Sequence, residues 1–531
     1  MRIPTLSSPA AVAAAGLITV VVAGTAWTYG SSPSRARVAV PPCSPQVDIL
    51  AVINRDPDAS HINAEIDSTF PALVARANSR SPSSRYDRIT LLGKILLFDK
   101  NLSVDRNLAC ETCHMQEAGF TGASEILNRT IVAYPGSAGG LVSARKPQSY
   151  GYAAFAPILH YNSTQKNFYG GNFWDMRATG IRLDNPTAEQ AQGPPLNPLE
   201  MALPDAACAV FRMSRGPYRA YFERVWGAQS FAIHWPAGVE QVCSRPAPAP
   251  ANDTLPVHLS AIDRGIASAT FDAMALSMAS YEASPEVSPF TSKLDSALAH
   301  ADQQILSADE LAGWALFRGK ANCNTCHLDG TANRGGARRS AGADNFSPSD
   351  AADVAPLFTD FTPVNVGVPR NRDLRFYCEN KPNAAGYAPN AAGLDVVDRG
   401  VGDFLRSKNN PSSAWAALAP RFDGAMRVPT LRNVDKRPRP GFVKAYMHNG
   451  YFKSLEEVVH FYNTRDVLPR CQGDNPAGEK VSCWPAPEVA ANVDTTVGKL
   501  GLTAREEAQI VAFLKTLTDA PARTSSAAPK R

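Results

Sequence analysis

No run of five or more like charges occurs anywhere in the 531 residues, and 53 basic against 49 acidic side chains leave a formal net charge of only +4. That balance provides no electrostatic footprint for nucleic acid. Charge is sparse, at 19% of residues against 44% hydrophobic, which excludes a wholly disordered chain. After Tyr29 no apolar stretch is long enough to cross a bilayer, so a multi-span membrane protein is excluded. Internal repeats are lacking too, apart from one short motif that occurs twice. In contrast, proline (42) and glycine (36) are plentiful, so long turns should join a modest number of helices. At ~100–200 residues per domain, the length implies two domains or more.

From Pro9 to Tyr29 the chain reads PAAVAAAGLITVVVAGTAWTY, uncharged and preceded by Arg2. This suits a secretory signal cleaved after Ala26 or an uncleaved membrane anchor, and either implies export. SSPSRARVAVPP follows as a linker. Ten cysteines are present, four of them in the repeated motif. The other six, Cys43, Cys208, Cys243, Cys378, Cys471 and Cys483, allow up to three disulfides in an oxidising compartment, with Cys471/Cys483 and Cys208/Cys243 the most local pairings.

The repeated motif is C-x-x-C-H: Cys110-Glu-Thr-Cys113-His114 and Cys323-Asn-Thr-Cys326-His327. It is the attachment signal for c-type haem, in which two thioethers hold the porphyrin and the histidine ligates iron. Both thiols and the imidazole must reach one macrocycle from one turn of chain, which dictates the spacing. Chance placement would give a single such motif roughly 0.3% of the time, so two make a dithiol redox pair or a zinc site the weaker alternatives. Helix signals flank each motif. Ser307-Ala-Asp-Glu310 is a capping box opening a helix with Leu311, Trp314 and Ala315 on one face. Thr503-Ala-Arg-Glu506 opens another, with Ile510, Phe513, Leu514 and Leu517 at i, i+3, i+4 and i+7. Tyr86–Leu97 predicts a helix before the first motif, against the weakening effect of Gly93. In His258–Tyr281, Leu259, Ile262, Ile266 and Ala273 mark a buried face, and a domain boundary is expected near Ser288–Asp302.

Around these motifs stand LLFDKNLSVDRNLACETCHMQEAGFTG, FWDMRATG (173–180), GPPLNPLEMAL (193–203), LFRGKANCNTCH (316–327), VPTLRNV (428–434) and YMHNGYFKSLEEVVHFYN (446–463). From about Leu92 to Leu517 the sequence resembles the bacterial dihaem cytochrome c peroxidase/MauG family. The resemblance implies a mainly α fold of two cytochrome c-like haem domains with long irregular loops. The corresponding division is a signal or anchor (1–30), an extension or linker (31–84), a peroxide-reactive haem domain (85–295), an electron-transfer haem domain (296–520) and a disordered tail (521–531).

The same resemblance implies roles for single residues. Trp174 is the tryptophan between the haems, with Met176 replacing the usual glycine. Gln190 and Glu200 keep the ten-residue separation of the family's peroxide pocket, with Glu200 as the acid/base and Gln190 displaced by extra residues around Ile181–Pro186. No histidine occurs between His114 and His160, so the first haem is expected to be open, with His160 a pocket or surface residue. Ser454-Leu-Glu-Glu457 is a further capping box, with Leu455, Val458, Val459 and Tyr462 on one stripe. Tyr462 stands where ordinary peroxidases of the family carry Met and MauG carries Tyr, which makes it the expected sixth ligand of the second haem. His460, Met426 and Met447 are the alternatives. His448 and Arg432 are expected to contact haem propionates or to support the groups that do.

Two departures bear on function. Ala321 replaces a surface tryptophan two residues before the second motif, which weakens the case for a protein substrate like MauG's. Arg145 stands near the family's calcium-binding Asn and DKRPRPGFVKAY lengthens the carbonyl segment, which leaves calcium open. The expected activity is reduction of hydrogen peroxide at the first haem, in the periplasm, with electrons from a small donor protein such as a cytochrome c or cupredoxin relayed through the second. The alternatives are a MauG-like oxidase acting on a protein or organic substrate through a high-valent dihaem state, and a non-enzymatic electron-transfer cytochrome.

Overall fold

The computed structural model describes residues 55–79, 82–139, 141–247, 256–300, 303–329, 356–382, 388–473 and 478–520. The expected signal or anchor, Cys43, the stretch ARRSAGADNFSPSD and the tail lie outside the described residues. The described residues belong to one compact unit. No helix among them is long and apolar enough to cross a membrane.

The helices that frame the core and the cavities include α1 (Pro57–Ser79), α2 (Arg85–Leu97), α3 (Pro186–Ala191), α4 (Ala206–Arg215), α5 (Ala261–Glu282), α6 (Ala308–Arg318), α7 (Leu455–Thr464) and α8 (Ala504–Lys515). Strands are few and short: β1 (His160–Asn162) pairs antiparallel with β2 (Asn167–Tyr169), and β3 (Pro363–Val364) with β4 (Met426–Arg427). Helices therefore dominate.

Two helix crossings organise the molecule, each made on a glycine. α2 crosses α5 at Gly93, where a Cβ would lie 1.8 Å from the Ser277 carbonyl oxygen. α6 crosses α8 at Gly313, where it would lie 1.9 Å from the Gln509 carbonyl oxygen. Gly93 lowers intrinsic helix propensity, yet the close backbone approach demands it. The capping boxes expected at Ser307 and Thr503 are both formed. Two expected faces shift. Ala315 is exposed while Gly313, Trp314 and Phe317 are buried, because the α6 face is set by the crossing. On α5, Ile262 is 78% exposed, while the expected Ala273 is buried together with Ala267, Thr270, Phe271, Met274 and Met278, and the small Ser277 is where α2 comes close.

One large apolar cluster runs from Ile62 to Val287 and a second from Leu294 to Leu517. The 31–84 segment, expected as extension or linker, contains α1, which buries Ile62, Ile66, Leu73, Val74 and Ala77 in the first cluster. Smaller clusters draw on both sides: Leu159, Phe168 and Met176 pack with Val401, Phe404 and Phe422, and Val132 and Val142 with Leu374 and Tyr377. The described part of the long segment between the second motif and VPTLRN is thus packed onto the first half. Cys208–Cys243 and Cys471–Cys483 are disulfides, as their proximity in sequence suggests, and Cys378 is also disulfide-bonded.

Candidate functional site

Each C-x-x-C-H motif opens on a short 3-10 turn, Cys110–Thr112 and Cys323–Thr325, and each lines its own cavity. All four motif cysteines are free thiols, so neither motif is a dithiol pair closed as a disulfide. The His327 Nδ1 lies 2.9 Å from the Phe358 carbonyl oxygen and the His114 Nδ1 2.9 Å from that of Phe120. A carbonyl at Nδ1 leaves Nε2 as the nitrogen free to ligate a metal. Burial pushes both imidazoles down to about 4, so they are neutral, the form that ligates.

The second cavity brings Cys323, Cys326 and His327 together with Tyr462, Met426 and Met447. α7 presents Leu455, Val458, Val459 and Tyr462 to it, the stripe expected from the sequence. Ser454 caps this helix by accepting the Glu457 N–H at 3.0 Å, but the Glu457 carboxylate accepts the Lys453 N–H at 2.7 Å, so the reciprocal half of the box is displaced by one residue. His460 is not among the cavity's lining residues; its Nδ1 lies 3.1 Å from the Glu507 carboxylate. That removes it as a local alternative to Tyr462. Ala321 is fully buried, so no relay side chain stands at the surface there.

The first cavity gathers Cys110, Cys113, His114, Gln190 and Glu200. Glu200 accepts a hydrogen bond from Asn197 Nδ2 at 2.6 Å. Burial raises its pKa, with Arg177 and the Asn197 hydrogen bond opposing, so the carboxyl is biased toward holding a proton. The extra residues before Gln190 fold into a closed loop on Glu189, whose carboxylate accepts the N–H groups of Gly180 (2.7 Å), Arg182 (2.7 Å) and Leu183 (3.1 Å). Asn185 then caps α3 by accepting from Thr187 and Ala188, and Gln190 returns to the cavity wall. His114 is the one histidine lining this cavity among the described residues. His160 is exposed on β1, its ring stacked 5.8 Å from that of Tyr169.

Trp174 lines both cavities; its indole Nε1 donates to the Lys146 carbonyl at 3.0 Å and its ring lies 6.5 Å from that of His448. His448 and Arg432 line the second cavity, but Arg432 is already committed to Asp295 through two contacts of 2.9 and 2.8 Å. Arg145 pairs with Asp398 and Asp175 at 2.7 Å each, and no cluster of three metal-ligating side chains exists among the described residues. Two residues were missed from sequence. Glu282, at the end of α5, is a buried carboxyl lining the first cavity, and Arg427, immediately before VPTLRN, lines both. The donor set fits a c-type haem in each cavity: two free thiols, one imidazole with Nδ1 engaged, and in Arg427 a buried cation whose Nε has no partner.

A family profile for di-haem cytochrome c peroxidase matches residues 87–303. The methylamine utilization protein MauG of Paracoccus denitrificans is 31% identical over 437 residues, covering 82% of this chain and 89% of that protein. The cytochrome-c peroxidase IdrP1 of Denitromonas iodatirespirans is 23% identical over 436 residues, covering 80% of each. A variant of the diheme peroxidase BthA from Burkholderia thailandensis has a similar fold, with a TM-score of 0.57 at 24% identity over 82% of this chain and 86% of that one. With the paired motif cavities, these likenesses make the chain a member of the di-haem cytochrome c peroxidase family of oxidoreductases.

Proposed function

We propose that the chain is an exported dihaem c-type peroxidase, with one haem attached through Cys110, Cys113 and His114 and the other through Cys323, Cys326 and His327. Hydrogen peroxide would be reduced in the first cavity with electrons from a small donor protein relayed through the second. The observation that carries this reading is the joining of Gln190 and Glu200 to His114 in one cavity while Trp174 borders both. When bound, haem iron supplies the two electrons that peroxide reduction consumes. The protein's part is proton movement and positioning. Asn197 holds Glu200 Oε1, leaving Oε2 to take a proton from one peroxide oxygen and return it to the other, so that O–O cleavage releases water. With two electrons and two protons, the balance is two waters per peroxide. Gln190 orients the substrate, and Trp174 lies on the path between the cavities.

The two large apolar clusters support a haem domain on each side of a boundary near residue 295. The disulfides support an oxidising compartment, here the periplasm. A MauG-like oxidase is the second reading, favoured by Tyr462 in the second cavity, since a phenolate ligand would lower the iron potential where Met would raise it. A pure electron carrier would have no use for a carboxyl biased toward protonation in the first cavity.

The test is the optical and EPR spectrum of the fully oxidised protein before and after one equivalent of hydrogen peroxide, followed by addition of reduced cytochrome c. Reaction without prior reduction and stoichiometric donor consumption supports the peroxidase. A long-lived oxidised product that ignores the donor supports the oxidase. Two low-spin haems that never react with peroxide would leave the carrier.

A further inference from the structure

Six lysine and arginine side chains line the two cavities: Arg145, Lys146, Arg177, Arg427, Arg432 and Lys444. Five have oxygen partners. Arg145 and Arg177 share Asp175, and Arg145 also holds Asp398. Arg432 is paired with Asp295 and donates to the Pro356 carbonyl at 2.7 Å. Lys146 donates to Thr121 Oγ1 at 2.5 Å and the Pro147 carbonyl at 3.0 Å, and Lys444 to the carbonyls of Ala118 and Lys436 at 2.8 and 2.7 Å.

Arg427 is the exception. It is 3% exposed, its Nε has no hydrogen-bond partner, and no carboxylate forms an ion pair with it among the described residues. The Phe361 ring, 5.7 Å from the guanidinium carbon, is a weak substitute. An arginine buried for structural reasons looks different here: Arg465 donates to the carbonyls of Val366, Asp494 and Val497 at 2.9, 2.7 and 2.7 Å. A buried cation without a counter-charge is strongly disfavoured by the loss of its hydration, so an unpaired guanidinium between two cavities needs an anionic partner. Its place is rigid, since β4 pairs with β3 and the Arg427 N–H donates to the Trp174 carbonyl at 2.8 Å.

We propose that Arg427 is a two-sided carboxylate clamp, taking one propionate from the haem in each cavity and so coupling the two cofactors beside Trp174. The planar guanidinium has five N–H donors on two usable edges, enough for two carboxylates. The inference rests on the reading that each cavity holds a haem. Arg427 is a positioning residue: it touches the cofactors' periphery and not the reacting oxygen.

The test uses the dihaem protein and its Arg427→Gln and Arg427→Lys variants, measuring haem stoichiometry by pyridine haemochrome and both midpoint potentials by spectroelectrochemical titration. Removing a cation beside two propionates stabilises the ferric state, so both potentials should fall in Arg427→Gln, with a smaller fall in Arg427→Lys. Loss of haem in the Gln variant alone also supports the clamp. If both variants bind two haems and neither potential moves, if only one potential moves, or if both variants lose haem alike, the clamp is refuted. Absence of haem from the unsubstituted protein would instead overturn the cofactor assignment beneath it.

Discussion

Replacing Glu200 by Gln isolates proton transfer from shape. The side chain faces the first cavity, and its Oε1 accepts from Asn197 Nδ2 at 2.6 Å. An amide of the same size keeps an acceptor oxygen for Asn197, so packing and haem content should survive. What disappears is the carboxyl proposed to take a proton from one peroxide oxygen and return it to the other. Positioned acid/base groups contribute about 10²–10⁴-fold, so peroxide turnover should fall by that factor, or about 2.7–5.4 kcal/mol of barrier. The pH profile provides an independent check. In the proposed mechanism Glu200 acts first as a base and must then be ionised; burial raises its pKa, so the rate should climb with pH through a value above the usual carboxylate range. Below that value the group is protonated and cannot accept the proton. In Glu200→Gln that limb should vanish. Stopped-flow mixing with hydrogen peroxide, on samples matched for haem content, measures both. A fall of less than about tenfold with the acidic limb intact would remove Glu200 from the chemistry.

Gly313→Ala should lower stability by about 1–3 kcal/mol, seen as a fall in thermal midpoint, because its Cβ would meet the Gln509 carbonyl oxygen at 1.9 Å and force α6 from α8. An unchanged midpoint would mean that the crossing is loose. Tyr462→Met should raise the potential of the second haem and alter its spectrum. An unaltered spectrum would hand the ligand position to Met426 or Met447, which line the same cavity. Asp295→Ala leaves the buried Arg432 guanidinium unpaired and should cost about 3–5 kcal/mol. The Asp295 pKa is lowered in the folded chain, so this contribution is complete above the ordinary carboxylate range and lost as pH falls through the depressed folded value. The stability difference between the variant and the parent should therefore shrink on acidification; a constant difference would count against the pair.

Much of this protein was legible along the chain because its signals are local. A C-x-x-C-H motif occupies one turn, a capping box spans four residues, and a helical stripe repeats within two turns; none depends on a distant segment. Thus the two C-x-x-C-H motifs, the helices opening at Ser307, Ser454 and Thr503, and the stripe ending at Tyr462 were all predictable. The face of α5 was not, because its buried side is chosen by how closely α2 can cross at Gly93, a contact between residues far apart in sequence. The same limit hid the fate of polar groups. His460 and Tyr462 are two residues apart, yet only tertiary packing gives one to Glu507 and the other to the cavity. Arg427 reads as one basic residue among 53 until every other cation lining the cavities has found its oxygen. Sequence by itself determined which atoms can bind a cofactor; the tertiary structure decided which charges are left unpaired around it, because desolvation and pairing are properties of the assembled interior and not of any single segment.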